Sequence, residues 1–577
     1  MLSTLLASGE YFVGSFWAFV PAIIAIVLAL ITKQVYLSLF AGIFTGAMFL
    51  AGGNPVQAIS NLFITMAKQL GNNGCILVFL VILGIFSVLM IKTGGSKAYG
   101  EWAGKKIKGA KGAQLATVAF GCFIFVDDYF NCLTVGSVMR PVTDKFKVSR
   151  AKLAYLIDST AAPVCIIAPI SSWAAAVSAY GDGGIMSFIK TIPFNVYALF
   201  TIAMMIIFIC LKLDVFKMKR NQIKASAGDL TAGENDLPSE DYKGNVAANG
   251  KIASLVVPIV TLIVCCVGAM IYNGYFYDWD AGVIGTTKQC SNVAEAFSSC
   301  DAGSSLAMGS AIALVISFIF LIATKAISFK ECMESIPEGF KSMVPAILIL
   351  TFAWTLCAMM GAKGEGLGAD GKAVIDGTLN AKAFIQATVS ADNMAVGIIP
   401  FIFFALACFI SFATGTSWGT FGTLLPIAIA VMDPANSGLY YITLSAVLAG
   451  AVYGDHVSPI SDTTIMASSG AQCNHIDHVR TQLPYATLVA IIAAITYLIG
   501  GFAAVKVQSY GGMVGIVLGV ASALMAGATV ALYFLDKSGK LDTLEAKFKK
   551  IFSRKKKSAV ATDSSQENGS GNGNGNV

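Results

Sequence analysis

Apolar residues run through this chain in blocks of about 20, the length that crosses the hydrocarbon core of a bilayer. Uninterrupted blocks fall at 12–31, 35–52, 75–92, 187–211, 252–272, 304–324, 344–361, 484–505 and 512–536. Three further regions, 113–142, 151–178 and 394–470, are apolar but carry polar clusters in their interior. Two amphipathic stretches, 56–72 and 325–343, predict surface helices. The first block lacks a basic n-region and a small-residue cleavage site ahead of it, so it is expected to be a retained span and not a signal peptide.

Orientation follows from Lys and Arg, which stay on the cytoplasmic side. The densest basic clusters are 92–111, 140–152, 212–224 and 537–557. One arrangement puts all four inside. Residues 113–142 enter from inside, turn at DDYFN and return as a re-entrant hairpin. Residues 151–178 cross outward as a broken helix and 187–211 cross back. Residues 394–432 dip in from outside, turning at TGTSWGT, and 437–470 cross inward as a second broken helix. The arrangement places 32 of the 39 Lys and Arg inside. It predicts an all-α integral membrane protein of about eleven transmembrane helices, N-terminus outside and C-terminus cytoplasmic.

The order of elements recurs. Each half runs span, span, amphipathic segment, span, hairpin, broken helix, span. A first repeat is expected over 1–211 and a second over 252–505, joined by a polar, flexible cytoplasmic linker at 212–251. Each repeat holds five spans, so the second is inverted, and Pro-Ile-Ser occurs in both broken helices, at Pro169–Ser171 and Pro459–Ser461. Paired discontinuous helices in inverted repeats mark secondary transporters, with the substrate near the midplane. An extra helix at 506–536 lies outside the repeat. The tail 537–577 begins basic, suited to an anionic lipid surface, and ends as a disordered Gly/Asn/Ser segment. Beside a span, the basic run does not point to nucleic acid.

Composition agrees. Of 577 residues 56% are hydrophobic and 12% charged, with mean hydropathy +0.72. A soluble domain carries about twice that share of charge. Most of the 13 cysteines lie in apolar runs, where Cys acts as a small hydrophobe. Cys290 and Cys300 share a polar loop and can pair if it faces an oxidising exterior.

Against this background the intramembrane polar residues stand out. A charge at bilayer depth costs roughly 3 kcal/mol or more, so an Asp there is a functional candidate. Asp127 and Asp128 sit at the first hairpin tip with Asn131 close by. Adjacent carboxylates do not both ionise cheaply. Such a pair takes a proton or, ionised, offers hard oxygen ligands to a small cation, but not both at once. That competition is the chemistry of a cation/proton exchanger. The structural alternative makes one Asp a helix cap at the break. The first broken helix, LIDSTAAPVCIIAPISSWAA, adds Asp158, Ser159, Ser171 and Ser172. Proline frees carbonyls there, although Ser and Thr also bond back to their own helix. The second tip supplies Thr416 and Ser417 among glycines but no acid. The second broken helix, AVYGDHVSPISDTTIM, supplies Asp455, His456, Ser458, Ser461, Asp462 and Thr463. His456 can relay protons or cap a helix. These residues are the candidates for ion or proton binding.

Other signals fail. GLGADG matches a dinucleotide fingerprint, but no strand precedes it. Cys473, His475 and His478 lack a fourth ligand for a metal and are expected in a solvated cytoplasmic loop. No cofactor is expected.

The stretches FVDDYFNCLTVGSVMRPVTDKFKVSRAKLAYLIDSTAAPVCIIAPISSW and GAVYGDHVSPISDTTIMASSGA resemble the NhaC family of sodium/proton antiporters, and the likeness runs over nearly the whole chain. The resemblance implies two inverted repeats with re-entrant hairpins, a homodimer with an elevator motion, and exchange of Na⁺ for H⁺ across a bacterial inner membrane. Relatives of that family exchange malate and lactate, so a Na⁺- or H⁺-coupled carrier of a small carboxylate or amino acid stands as the alternative. With no protease or nucleotide motif, an enzyme is not expected.

Overall fold

The computed structural model describes residues 12–32, 34–180, 184–233, 250–278, 283–293, 295–296, 300–360, 378–381, 384, 394–432, 437–507 and 509–540. The GLGADG motif, Lys363, Lys372 and Lys382, much of the 212–251 linker and the tail beyond 540 lie outside them. The described residues are helical almost throughout. Its first half runs α1 (Val20–Thr32), α2 (Val35–Leu50), α3 (Pro55–Asn72), α4 (Gly74–Lys92), α5 (Gly95–Lys106), α6 (Ala110–Phe123), α7 (Asp128–Lys145), α8 (Arg150–Cys165), α9 (Ser172–Ser178), α10 (Gly184–Thr191) and α11 (Val196–Leu211). After α12 (Phe216–Ser226) the second half runs α13 (Ala253–Phe276), α14 (Ala302–Ala323), α15 (Phe329–Met360), α16 (Ile399–Thr414), α17 (Ser417–Val431), α18 (Ser437–Val457), α19 (Asp462–Ala471) and α20 (His475–Lys506), with α21 (Tyr510–Lys537) at the end.

Among the described residues seven helices are long and apolar enough to cross a membrane, and up to nine if two bent pairs each count as one span. The expected eleven is therefore not reached on length and composition. The shortfall lies where polar breaks divide an apolar block into arms too short to span alone. The paired arms follow in the expected order, but the first turn lies just ahead of DDYFN: α6 ends at Phe123 and Asp128 already opens α7, while α8 and α9 flank the first Pro-Ile-Ser, α16 and α17 meet within TGTSW, and α18 and α19 flank the second Pro-Ile-Ser. Corresponding pairs also pack alike, α1 on α2 as α13 on α14, and α7 on α8 as α17 on α18.

Three segments differ from expectation. The 325–343 stretch is not a separate surface helix but the first half of the 32-residue α15, in which Pro337 and Pro345 sit without ending it. Its start is fixed by a reciprocal cap, Ser328 Oγ donating to Glu331 Oε2 at 2.6 Å while Glu331 N donates to Ser328 Oγ at 3.3 Å. By contrast α3 is capped by Asn54 and turns 118° from α2, as an amphipathic helix leaving a span should. Secondly, the linker is ordered at its start. The helix α12 buries Met218, Asn221 and Ala225, and its Lys217 and Lys219 pair with Asp477 of α20 and Asp536 of α21. Thirdly, Cys290 is not bridged to Cys300: its thiol donates to Gly274 O at 3.1 Å.

The basic face is thus tied together by ion pairs, including Lys152 with Asp214 at 2.5 Å and Arg150 with Asp144 at 3.2 Å. If this face is cytoplasmic, Cys placed at Lys105 and at Lys145, in a background without exposed Cys75 and Cys210, should stay unlabelled by a membrane-impermeant maleimide on intact cells. Strong labelling at position 145 would remove the re-entrant hairpin.

Candidate functional site

Each break is built by a short polar side chain that replaces the missing helical bonds. At the first hairpin tip Asp127 caps α7, its Oδ1 accepting from Phe130 N at 2.9 Å. Asn131 Nδ2 donates to Gly121 O, Ile124 O and Thr160 O at 2.7, 2.8 and 3.2 Å, closing the end of α6 against α8. Gly121 is required there, since a Cβ would stand 2.2 Å from Thr160 Oγ1. At the next break Ser171 donates to Cys165 O at 2.7 Å and accepts from Ala174 N at 3.0 Å. Ser172 N donates to Val126 O at 2.9 Å, which fixes this break to the hairpin tip.

The second half repeats these devices. Gly415, at φ +69°, turns α16 into α17, and Thr416, half-buried, caps Gly419 N at 3.3 Å. Ser417 donates to Ala451 O at 3.3 Å and Ser458 to Phe412 O at 2.8 Å. Ser461 caps Thr464 N at 3.2 Å. For Ser171, Thr416, Ser417, Ser458 and Ser461 the structural alternative therefore accounts for the hydroxyl. Ser159 is buried beside Tyr155. Asp462, the first residue of α19, is exposed yet within electrostatic reach of the buried Asp455. Polar backbone at a break in a spanning segment is tolerated only where protein buries it or water reaches it, and the exposure of Pro459 and Asp462 is what access of water to this break requires.

Four of the candidate acids are buried, Asp127, Asp128, Asp158 and Asp455; Asp477, also buried, is paired with Lys217. The four candidates lie within electrostatic reach of Cys132 on α7, and that helix meets α19 where Gly136 and Gly470 let the backbones touch. Two of the acids are fully engaged on one side. Asp455 Oδ2 accepts from Thr463 Oγ1 at 2.6 Å. Asp158 Oδ2 accepts from Thr464 Oγ1 at 3.0 Å and Gln482 Nε2 at 2.6 Å. Asp158 Oδ1 and Asp127 Oδ2 are left without a hydrogen-bond partner among the described residues, and at Asp128 both carboxylate oxygens are, as are Asn131 Oδ1 and Ser172 Oγ. Ser172 lies beside Asp127, and Trp173 beside Asp128. These are oxygen acceptors of hard character, the kind a small cation takes in place of water.

Sequence reasoning missed the residues that hold Asp158 and His456 in place. Gln482, His478, Thr464 and Tyr197 are buried and bonded into it. The expected solvated loop at 473–478 is not one. His478 is fully buried on α20, its Nε2 2.9 Å from Gln482 Oε1 and 3.9 Å from Asp158 Oδ2. Cys473 is buried too, and only His475 is half-buried. The reason is that Asn474 caps α20 at Asp477 N, 2.9 Å, so these polar residues wind into the helix and face the broken helices. His456 bonds Tyr197 OH through Nδ1 at 3.0 Å, while its Nε2 has no partner. No group of three metal-ligating side chains of the His/Cys/Asp/Glu kind exists among the described residues.

Helices broken in pairs around buried, unpaired carboxylates define a multi-pass secondary transporter, not an enzyme. The Na⁺/H⁺ antiporter family profile matches residues 179–502, and the chain belongs to that family. An uncharacterised protein of Haemophilus influenzae is 37% identical over 540 residues, covering 89% of this chain and 96% of its own. The malate-2H⁺/Na⁺-lactate antiporter of Bacillus subtilis is 31% identical over 181 residues, 28% of this chain and 38% of that protein. The arginine/ornithine antiporter ArcD of Halobacterium salinarum is 37% identical over 114 residues, 18% of this chain and 23% of its own.

Proposed function

We propose that the protein exchanges Na⁺ for H⁺ by alternating access, the two ions alternating at the Asp127/Asp128 pair. The observation that carries this is the set of orphaned buried oxygens at the first hairpin tip. An ionised carboxylate with no partner is untenable at that depth. The pair must hold a proton or a cation, and either occupant displaces the other. Asn131 Oδ1 and Ser172 Oγ supply neutral oxygens to the cation. Asp158, already bonded by Gln482 and Thr464, serves the proton side. The recurring element order and the basic-face count support an inverted repeat with both hairpin tips near the midplane. They also support a cytoplasmic-membrane location with the basic face inside. A homodimer follows from the family resemblance alone.

One observation favours exchange of a small carboxylate or amino acid instead. The indole N–H groups of Trp173 and Trp418 are buried without a close acceptor among the described residues, Trp173 standing beside the Asp128 carboxylate, with ring centroids 5.6 Å apart. They are donors that a carboxylate could use, and the malate/lactate and arginine/ornithine antiporters are relatives. Liposomes holding purified protein under an imposed pH gradient separate the readings. Na⁺ alone should collapse the gradient. If malate, lactate or an amino acid is required for any flux, the Na⁺/H⁺ reading falls.

A further inference from the structure

On α20 two histidines point at a single hydroxyl. His478 Nδ1 lies 2.8 Å and His475 Nδ1 3.1 Å from Ser468 Oγ. The other nitrogen of each ring is committed as a donor. His475 Nε2 is 2.7 Å from Pro459 O, a carbonyl that only accepts. His478 Nε2 faces Gln482 Oε1 at 2.9 Å. That amide is oriented beyond ambiguity, because its Nε2 must donate both to Asp158 Oδ2 at 2.6 Å and to His456 O at 2.8 Å.

With both Nε2 atoms protonated, two neutral imidazoles would aim two lone pairs at a hydroxyl that has one hydrogen. Thr464 O, 2.7 Å from Ser468 Oγ, competes for the same hydrogen. At least one buried acceptor is then left unmade, which costs about 1–3 kcal/mol. One added proton makes a continuous chain: His478 Nδ1–H donates to Ser468 Oγ, and Ser468 Oγ–H donates to His475 Nδ1. A second would put two cations against one hydroxyl.

We infer that His478, Ser468 and His475 form a shared one-proton station that carries the exchanged proton between Asp158 and water at the Pro459 break. This rests on the Na⁺/H⁺ reading above and extends it to the proton's route. The outer end is open: His475 is half-buried, and Pro459, Ile460 and Asp462 around it are exposed. The inner end is Asp158, 3.9 Å from His478 Nε2. Inward transfer begins when water protonates His475 at Nδ1. That Nδ1–H bond then breaks as Ser468 Oγ gains a proton, and the former Oγ–H proton passes to His478 Nδ1. The resulting imidazolium swings its Nε2–H from Gln482 to the Asp158 carboxylate and gives it up, leaving a neutral ring and a carboxylic acid. Imidazole is suited to this because one ring nitrogen can take up a proton while the other gives one up.

The charged and titratable groups facing the station are few. Asp158 comes from α8, Asp455 and His456 from α18, and Asp462 opens α19, the helix that carries Ser468. On α20 itself Asp477 is held by Lys217 of α12, and Arg150 of α8 is held by Asp144 and by Gln472 O. The excess proton is therefore balanced chiefly by Asp158. Gln482 acts as a positioning residue.

The test is Na⁺-driven proton flux in liposomes for wild type, Ser468→Ala, Ser468→Thr and His475→Gln, beside Na⁺-dependent thermal stabilisation of each protein in detergent. Ser468→Ala and His475→Gln should bind Na⁺ with unchanged midpoint yet lose flux by about a hundredfold, the lower range for a removed proton-transfer group. Ser468→Thr keeps the hydroxyl and should restore flux, which separates a lost relay from lost packing. Wild-type flux in Ser468→Ala or His475→Gln overturns the station. Absence of Na⁺-dependent flux in wild type overturns the exchange reading instead.

Discussion

Asp128→Asn should abolish Na⁺-coupled proton flux while leaving a folded protein in the membrane. Both oxygens of Asp128 are buried beside the Trp173 side chain and make no close hydrogen bond among the described residues, and an amide oxygen can still face that indole, so the substitution breaks no cap. The amide keeps the size and removes the charge. A Na⁺ bound at the hairpin tip then loses its nearest counter-charge at a depth where an unpaired ion costs roughly 3 kcal/mol, which is more than a hundredfold in affinity. The amide takes up no proton either, so both half-reactions fail together. Asp127→Ala is a poorer probe. Its Oδ1 caps Phe130 N, and losing a cap costs about 1 kcal/mol of stability by itself. Asp127→Asn keeps the cap and is the proper partner variant. Near-normal flux in Asp128→Asn protein that melts like wild type would sink the assignment. A protein that fails to reach the membrane in this variant would show that the charge stabilises the hairpin, and the charge-free Asp127→Asn would then decide the role of the pair.

The breaks could be read in the sequence because polar residues are expensive in an apolar run. DDYFN, APISS and DHVSPISDTT each lie at an interruption of a block that hydropathy alone would call a span, and the chain does leave the helix beside each; DSTAAP does not break, since Pro163 sits inside α8 and the helix runs on to Cys165. The boundary between α3-like surface helices and spans was less legible. The 325–343 stretch carries the same amphipathic pattern as α3, but lacks the Gly-Gly-Asn-Pro sequence that turns the chain before α3. It runs on into the next apolar block. The residues that hold Asp158 and His456 were hidden for another reason. HIDHVRTQLPY reads as a polar lead-in to a span, yet His478, Thr481, Gln482 and Tyr485 recur at i, i+3, i+4 and i+7, one face of a helix. That face signal was present and pointed to burial. What no periodicity could supply is which partner the face meets. Asp158 is 324 positions from Gln482, and only the packing of α8 on α20 brings them together.

Lowering the pH should weaken Na⁺ at the same site that Asp128→Asn destroys, and the slope counts protons. If one proton competes with one Na⁺ for the Asp127/Asp128 pair, the half-saturating Na⁺ concentration should rise about tenfold for each pH unit below the titration of the pair. Above that point it should level off. The sign follows from competition: a protonated carboxylate is no longer an anionic ligand, so acid favours the proton-loaded form and alkali the Na⁺-loaded one. A slope near two would mean that two protons leave per Na⁺, which brings Asp158 into the stoichiometry with the hairpin pair. The measurement is Na⁺-dependent gradient collapse in liposomes at stepped pH, with Na⁺-induced thermal stabilisation as a flux-free check. A carrier of a small carboxylate behaves otherwise. Its flux at any pH would wait on the organic solute, and the Na⁺ midpoint would stay flat across the titration. A flat midpoint together with solute-dependent flux would move the cation away from the aspartate pair and leave the indole N–H groups of Trp173 and Trp418 as the place to look for the anion.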